Sequence, residues 1–166
     1  MASVSNCGNT GKPEILVLGI GNTLLSDEGI GVHALRQLEA EFSSRDDLHF
    51  IDGGTLGFIL SGPIASTRHL IVIDAAQLDA SPGTVRVFVD ADMDRFVGYG
   101  RSSAHEIGLT DLMHVAHLTG NLPERRALIG IQPAHIGLGE RPTPAVADAL
   151  PNICDAVRHL IGEWQS

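Results

Sequence analysis

Glu14-Ile15-Leu16-Val17-Leu18-Gly19-Ile20-Gly21 is a short, continuous apolar run that closes on glycines. A strand with one wet face alternates polar and apolar residues, whereas this run is apolar throughout and reads as a strand buried on both faces. Beyond it, the loop Asn22 to Asp27 leads into a helix expected over 29–42. There Ile30, Ala34, Leu35, Leu38 and Phe42 recur at helical spacing. Further strands are expected over 48–51, stopped by Asp52-Gly53-Gly54-Thr55, over 69–73, stopped by Asp74, over 84–89 and over 126–131. The last helix is expected to start at Thr143-Pro144, a capping hydroxyl followed by a first-turn proline, with a kink at Pro151. Apolar strands alternating with helices imply a parallel, doubly wound α/β sheet with helices on both faces. The strand over 84–89 follows its neighbour after a short connection and is the expected antiparallel exception.

The 166 residues suffice for one domain, expected over 14–166 behind a flexible polar tail over 1–13. With 43% hydrophobic and 19% charged residues, the chain can bury a real core. Eleven Lys plus Arg against twenty Asp plus Glu give a formal charge of −9, which leaves no surplus for a phosphate-binding face. Aromatic residues are 4%, too few for base-stacking platforms, so a nucleic-acid partner is not expected. Cys7 and Cys154 make no disulfide framework, the polar opening stretch is not expected to be a signal peptide, and no apolar run of about 18 residues occurs in the sequence. A cytoplasmic protein without a membrane partner is the expectation.

In a doubly wound sheet, ligands bind outside the carboxyl ends of the strands, where the strand order reverses. If the first strand is central, the loops after the first and third strands open one crevice. Each carries acids: Asp27-Glu28 in the first, Asp74 in the third. An acid at a helix start also caps free amides and complements the dipole, and for Asp27 that is the preferred reading. Glu28 differs because it lies opposite Asp74. A carboxylate after four apolar residues, as Asp74 is, loses solvation and needs a cation, a metal or hydrogen bonds from loop amides.

Ser103-Ala104-His105-Glu106 fits a capping box, so a helix is expected from Ser103 to about Gly120, with His105 in its first turn. The positive end of the dipole keeps such an imidazole neutral, the form that binds metal, although from spacing alone a surface histidine is the preferred reading. On the same helix Leu109, Leu112, Met113 and Ala116 form the apolar stripe, and His114 and His117 lie around the opposite side, away from His105. Leu109 stands where an HExxH zincin has its second histidine. Gly19-Ile20-Gly21 begins like a dinucleotide turn, but Leu24 holds the third glycine's place, and two acids at the helix start would repel a pyrophosphate. No serine elbow or cysteine–histidine signature offers a covalent nucleophile.

The segment Gly19-Ile20-Gly21-Asn22-Thr23-Leu24-Leu25-Ser26-Asp27-Glu28-Gly29-Ile30-Gly31 resembles the opening motif of the nickel–iron hydrogenase maturation endopeptidases. The resemblance continues through Asp52-Gly53-Gly54-Thr55, Ile73-Asp74-Ala75 and Ser103 to Leu109, and ends with Pro133 to Val146. It departs at Pro142-Thr143-Pro144, where relatives often carry leucine in place of Pro142. The resemblance implies a three-layer α/β/α sandwich around a five-stranded, mostly parallel sheet. It implies removal of a C-terminal extension from the hydrogenase large-subunit precursor after nickel insertion. By the same resemblance, Glu28, Asp74 and His105 contact nickel delivered by the substrate, for which zinc or cadmium can stand in. Glu28 and Asp74 become the candidate catalytic acids, and Asp52, Gly53, Gly54 and Thr55 the substrate-recognition element of an expected monomer. A non-catalytic nickel-sensing maturation chaperone with the same three ligands is the competing expectation.

Overall fold

In the computed structural model, which describes residues 14–54, 57–98 and 106–166, β1 (Ile15–Ile20) is buried at every position. β1 pairs in parallel on one side with β2 (Leu48–Gly54) and on the other with β3 (His69–Ala75). β3 in turn carries β5 (Arg125–Ile131) in parallel, and β4 (Val85–Val89) closes the edge antiparallel to β5. The order is β2-β1-β3-β5-β4, so the expected mostly parallel sheet forms and its one antiparallel strand is the expected one.

The apolar runs on the central strands explain the layering. Alternate residues on a strand face opposite ways. Ile15 and Val17 of β1, with Ile71 and Ile73 of β3, pack under α1 (Ile30–Glu41) and α6 (Leu150–Trp164). Leu16, Leu18, Leu70 and Val72 pack on the other face. Their partners there are α2 (Ser61–Ser66), α3 (Ala91–Gly98) and α4 (Glu106–Leu118). Each fully buried Leu or Ile contributes about 1.5–3 kcal/mol. The α4 stripe behaves as its spacing predicts: Leu109, Leu112, Met113 and Ala116 are all buried. The expected start of that helix at Ser103 lies outside the described residues.

Three local expectations are corrected. Asp74 does not stop β3, because β5 extends the pairing with Asp74 opposite Gly130 and Ala75 opposite Ile131. Pro151 does not kink one long helix. The chain forms a short α5 (Pro144–Ala147) and then a separate α6, with Pro151 in its first turn, where a missing N–H is harmless. Thr143 precedes α5, but its side chain does not cap that helix.

Candidate functional site

The loop after β1 reaches the site through glycines. Gly21 has φ +133°, and a Cβ there would stand 1.8 Å from the Glu28 carbonyl oxygen. Only glycine lets the 3-10 turn Asp27–Gly29 fold back onto the end of β1. Gly31, at the start of α1, lies equally close to the sheet, since a Cβ would come within 2.2 Å of the Ile73 carbonyl oxygen. Ile73 directly precedes Asp74. The turn carrying Glu28 therefore packs against β3 at the strand end that carries Asp74.

Glu28 and Asp74 are buried, 1% and 2% exposed. Asp74 alternates with Ile71 and Ile73 and shares a face with Leu70 and Val72, so it faces the layer that contains α4. α4 precedes a parallel strand, so its amino end lies at the carboxyl edge of the sheet. That end meets the loop after β2, where a Cβ on Gly57 would stand 3.5 Å from the Gly108 Cα. His105, the third residue singled out from sequence, lies outside the described residues. Among the described residues no three His, Cys, Asp or Glu side chains group as a metal site.

Asp27 has a different role from the expected helix cap. It is fully buried and accepts four hydrogen bonds across the fold. Its Oδ2 takes the N–H of Ala134 at 2.8 Å, the N–H of His135 at 2.9 Å and the Thr143 hydroxyl at 2.9 Å. Its Oδ1 takes the Thr143 N–H at 2.6 Å. Burial alone would raise the Asp27 pKa; the N–H groups of His135, Thr143 and Ala134 outweigh it and hold the carboxyl below its ordinary value. Next to this clamp the two loops form a small ladder, with Ser26 N–H donating to Gly139 O at 2.8 Å and Gly139 N–H to Leu24 O at 3.0 Å. The only signal for it in the sequence is Thr143 itself, and that residue also fits a local cap.

Asp52, Gly53 and Gly54 occupy the same edge at the end of β2. The Asp52 Oδ1 accepts the Gly54 N–H at 3.0 Å, and its Oδ2 lies 3.5 Å from Arg36 in an exposed ion pair worth at most about 1 kcal/mol. Gly54 adopts φ +46° and its carbonyl accepts the Gly21 N–H at 3.2 Å, which ties this segment to the loop after β1. Thr55 lies outside the described residues. His114 and His117 stand apart from this edge, exposed on α4 beside a cavity of about 220 Å³ that Asp94 also lines. Asp94 is already committed to Arg126. Cys154 is buried, and burial pushes its thiol pKa up, so it is no nucleophile.

A profile of the hydrogenase maturation protease family matches residues 32–159. The hydrogenase 2 maturation protease of Escherichia coli strain K12 is 36% identical over 149 residues, covering 87% of this chain and 90% of that protein. The hydrogenase expression/formation protein HupM of Azotobacter chroococcum is 40% identical over 125 residues, 75% of this chain. The aligned part is 60% of that longer relative. The solved structure of the hydrogenase maturating endopeptidase HybD from Escherichia coli superposes with a TM-score of 0.82 at 32% identity, covering 90% of this chain and 93% of that one. With the family profile spanning well over half its length and a solved endopeptidase sharing its topology almost end to end, the chain belongs to the hydrogenase maturation protease family.

Proposed function

We propose that this chain is the endopeptidase that removes the C-terminal extension from the large-subunit precursor of a nickel–iron hydrogenase, and that it acts once nickel is in place. The observation that carries the proposal is the pair of buried acids, Glu28 and Asp74, at the carboxyl edge of neighbouring strands in a chain of this family. Two buried carboxyl groups at one edge present oxygen donors that suit a divalent cation.

The nickel belongs to the substrate. Glu28, Asp74 and His105 supply two carboxylates and one imidazole, a donor set suited to a borderline divalent ion and small enough to leave positions for the precursor's own ligands. Cleavage then depends on nickel because the ion fixes the scissile bond beside the acids. Hydrolysis adds one water to the carbonyl carbon and returns a proton to the leaving amine; a carboxylate at this edge is the group able to carry that proton. Zinc or cadmium would occupy the same donors in vitro. Asp52, Gly53 and Gly54 border the edge and, with Thr55, make up the element that reads the substrate. The enzyme acts as a monomer in the cytoplasm. No helix among the described residues is long and apolar enough to cross a membrane.

The test is to incubate the purified chain with nickel-loaded and nickel-free precursor and follow the precursor's mass. Loss of the extension from the loaded form alone is expected. Binding of the loaded form without any cleavage would replace the protease by a nickel-sensing chaperone.

A further inference from the structure

Seven large apolar side chains are exposed among the described residues, and five of them ring one edge of the sheet. Phe58 and Ile59, each 72% exposed, lie on the 3-10 turn that follows β2. Leu24 follows β1, and Ile136 and the 91% exposed Leu138 follow β5. β1, β2 and β5 run parallel, so these loops all leave the carboxyl edge, where Glu28 and Asp74 sit. The ladder that joins Leu24 and Ser26 to Gly139 and Ile136 holds one group of the five together. The other two exposed side chains, Leu118 and Val87, lie on α4's far end and on the edge strand β4.

We infer that this apolar rim seats the precursor polypeptide on either side of the scissile bond, through an uncharged, apolar segment. The inference rests on the protease reading above and extends it to the partner's chemistry. Scattered exposed leucines need no explanation, but a cluster bordering two buried acids does. Charge complementarity defines the occupant. The segments that carry four of the five side chains hold no charge, neither from Gly53 to Thr67 nor over Ile136-Gly137-Leu138-Gly139, while Asp52, Glu140 and Arg141 flank them, so contact with the rim itself is apolar. Geometry sets its length. β2 and β5 are three strand positions apart, about 14 Å, which an extended peptide spans in roughly four residues. A second copy of this chain on the same rim would cover the acids and block the substrate they serve.

The experiment measures kcat and KM for cleavage of nickel-loaded precursor by the full chain. It compares the wild type with Phe58→Ser/Ile59→Ser, Ile136→Ser/Leu138→Ser, and Leu118→Ser at the opposite end of α4 as control. Each double variant is expected to raise KM about tenfold with kcat within about twofold and an unchanged melting temperature, and Leu118→Ser to match the wild type. Leu138→Ser alone keeps the test open if a double variant does not fold, with a smaller rise in KM expected. Unchanged KM in the rim variants, while the wild type cleaves, overturns the inference and leaves the protease reading standing. A dimer in sedimentation that these substitutions dissociate would assign the rim to a second copy and overturn it as well. A wild type that leaves the loaded precursor intact removes the underlying reading and this inference with it.

Discussion

Asparagine at position 27 would set an amide N–H2 against backbone donors that now converge on a carboxylate. Two oxygens there accept three N–H bonds and one hydroxyl bond, all buried, and no rotamer of asparagine can accept them all. Asp27→Asn is therefore expected to destabilise the fold by about 3 kcal/mol, read from urea unfolding near neutral pH. The pH dependence has a definite sign. The folded carboxyl lies below its ordinary 3.8, so its contribution is complete above about pH 3.8 and declines as pH falls below it. The gap between variant and wild type should shrink in the same window; a gap that widened there would contradict the clamp. Cys154 gives a second check at this scale. Iodoacetamide should leave it unlabelled in the native protein and label it once denaturant opens the core, as peptide mapping will show. How readable these residues were from sequence differs. Glu28 and Asp74 follow from where ligands bind in a parallel sheet. Asp27 did not, because its partners lie more than a hundred residues away and the local cap reading was chemically complete.

Between β1 and α1, the glycines decide how near a helix approaches the sheet. Gly31→Ala would put a Cβ within 2.2 Å of the Ile73 carbonyl and 2.5 Å of the Ile20 carbonyl, so α1 and the turn before it must retreat. About 2 kcal/mol or more of stability should be lost, and processing should fall further than stability alone explains, because the turn carries Glu28. Equal processing per folded molecule would separate the helix position from the chemistry. The strands and α1 were legible because their apolar runs and helical spacing have no competing interpretation. The ends of elements were less so. Asp74 reads as a stop until its neighbour β5 is seen to extend the pairing past it. Pro151 reads as a kink because one apolar stripe runs through it in the sequence, whereas two helices meeting there put the proline in a first turn.

Across the whole molecule, β1 and β3 lie inside the sheet between β2 and β5; the loop that leaves β1 bears Glu28, and the last stretch of pairing along β3 holds Asp74. Two opposed cores fix those strands, and the close approaches at Gly21 and Gly31 set the turn carrying Glu28 against the end of β3 that holds Asp74. The parallel sheet and its antiparallel exception were readable from the pattern, whereas a central first strand entered only as a condition, because apolar runs and helical crossovers permit more than one strand order. The rim that surrounds the acids was not, because an exposed leucine in sequence looks like any other until its neighbours in space are known. The most direct test of the central claim is the intact mass of nickel-loaded precursor after incubation with the wild type, Glu28→Gln, Asp74→Asn and His105→Ala, each verified as folded. The wild type should remove the extension and each variant should leave it attached. Extension loss at the wild-type rate by all three variants would contradict the account.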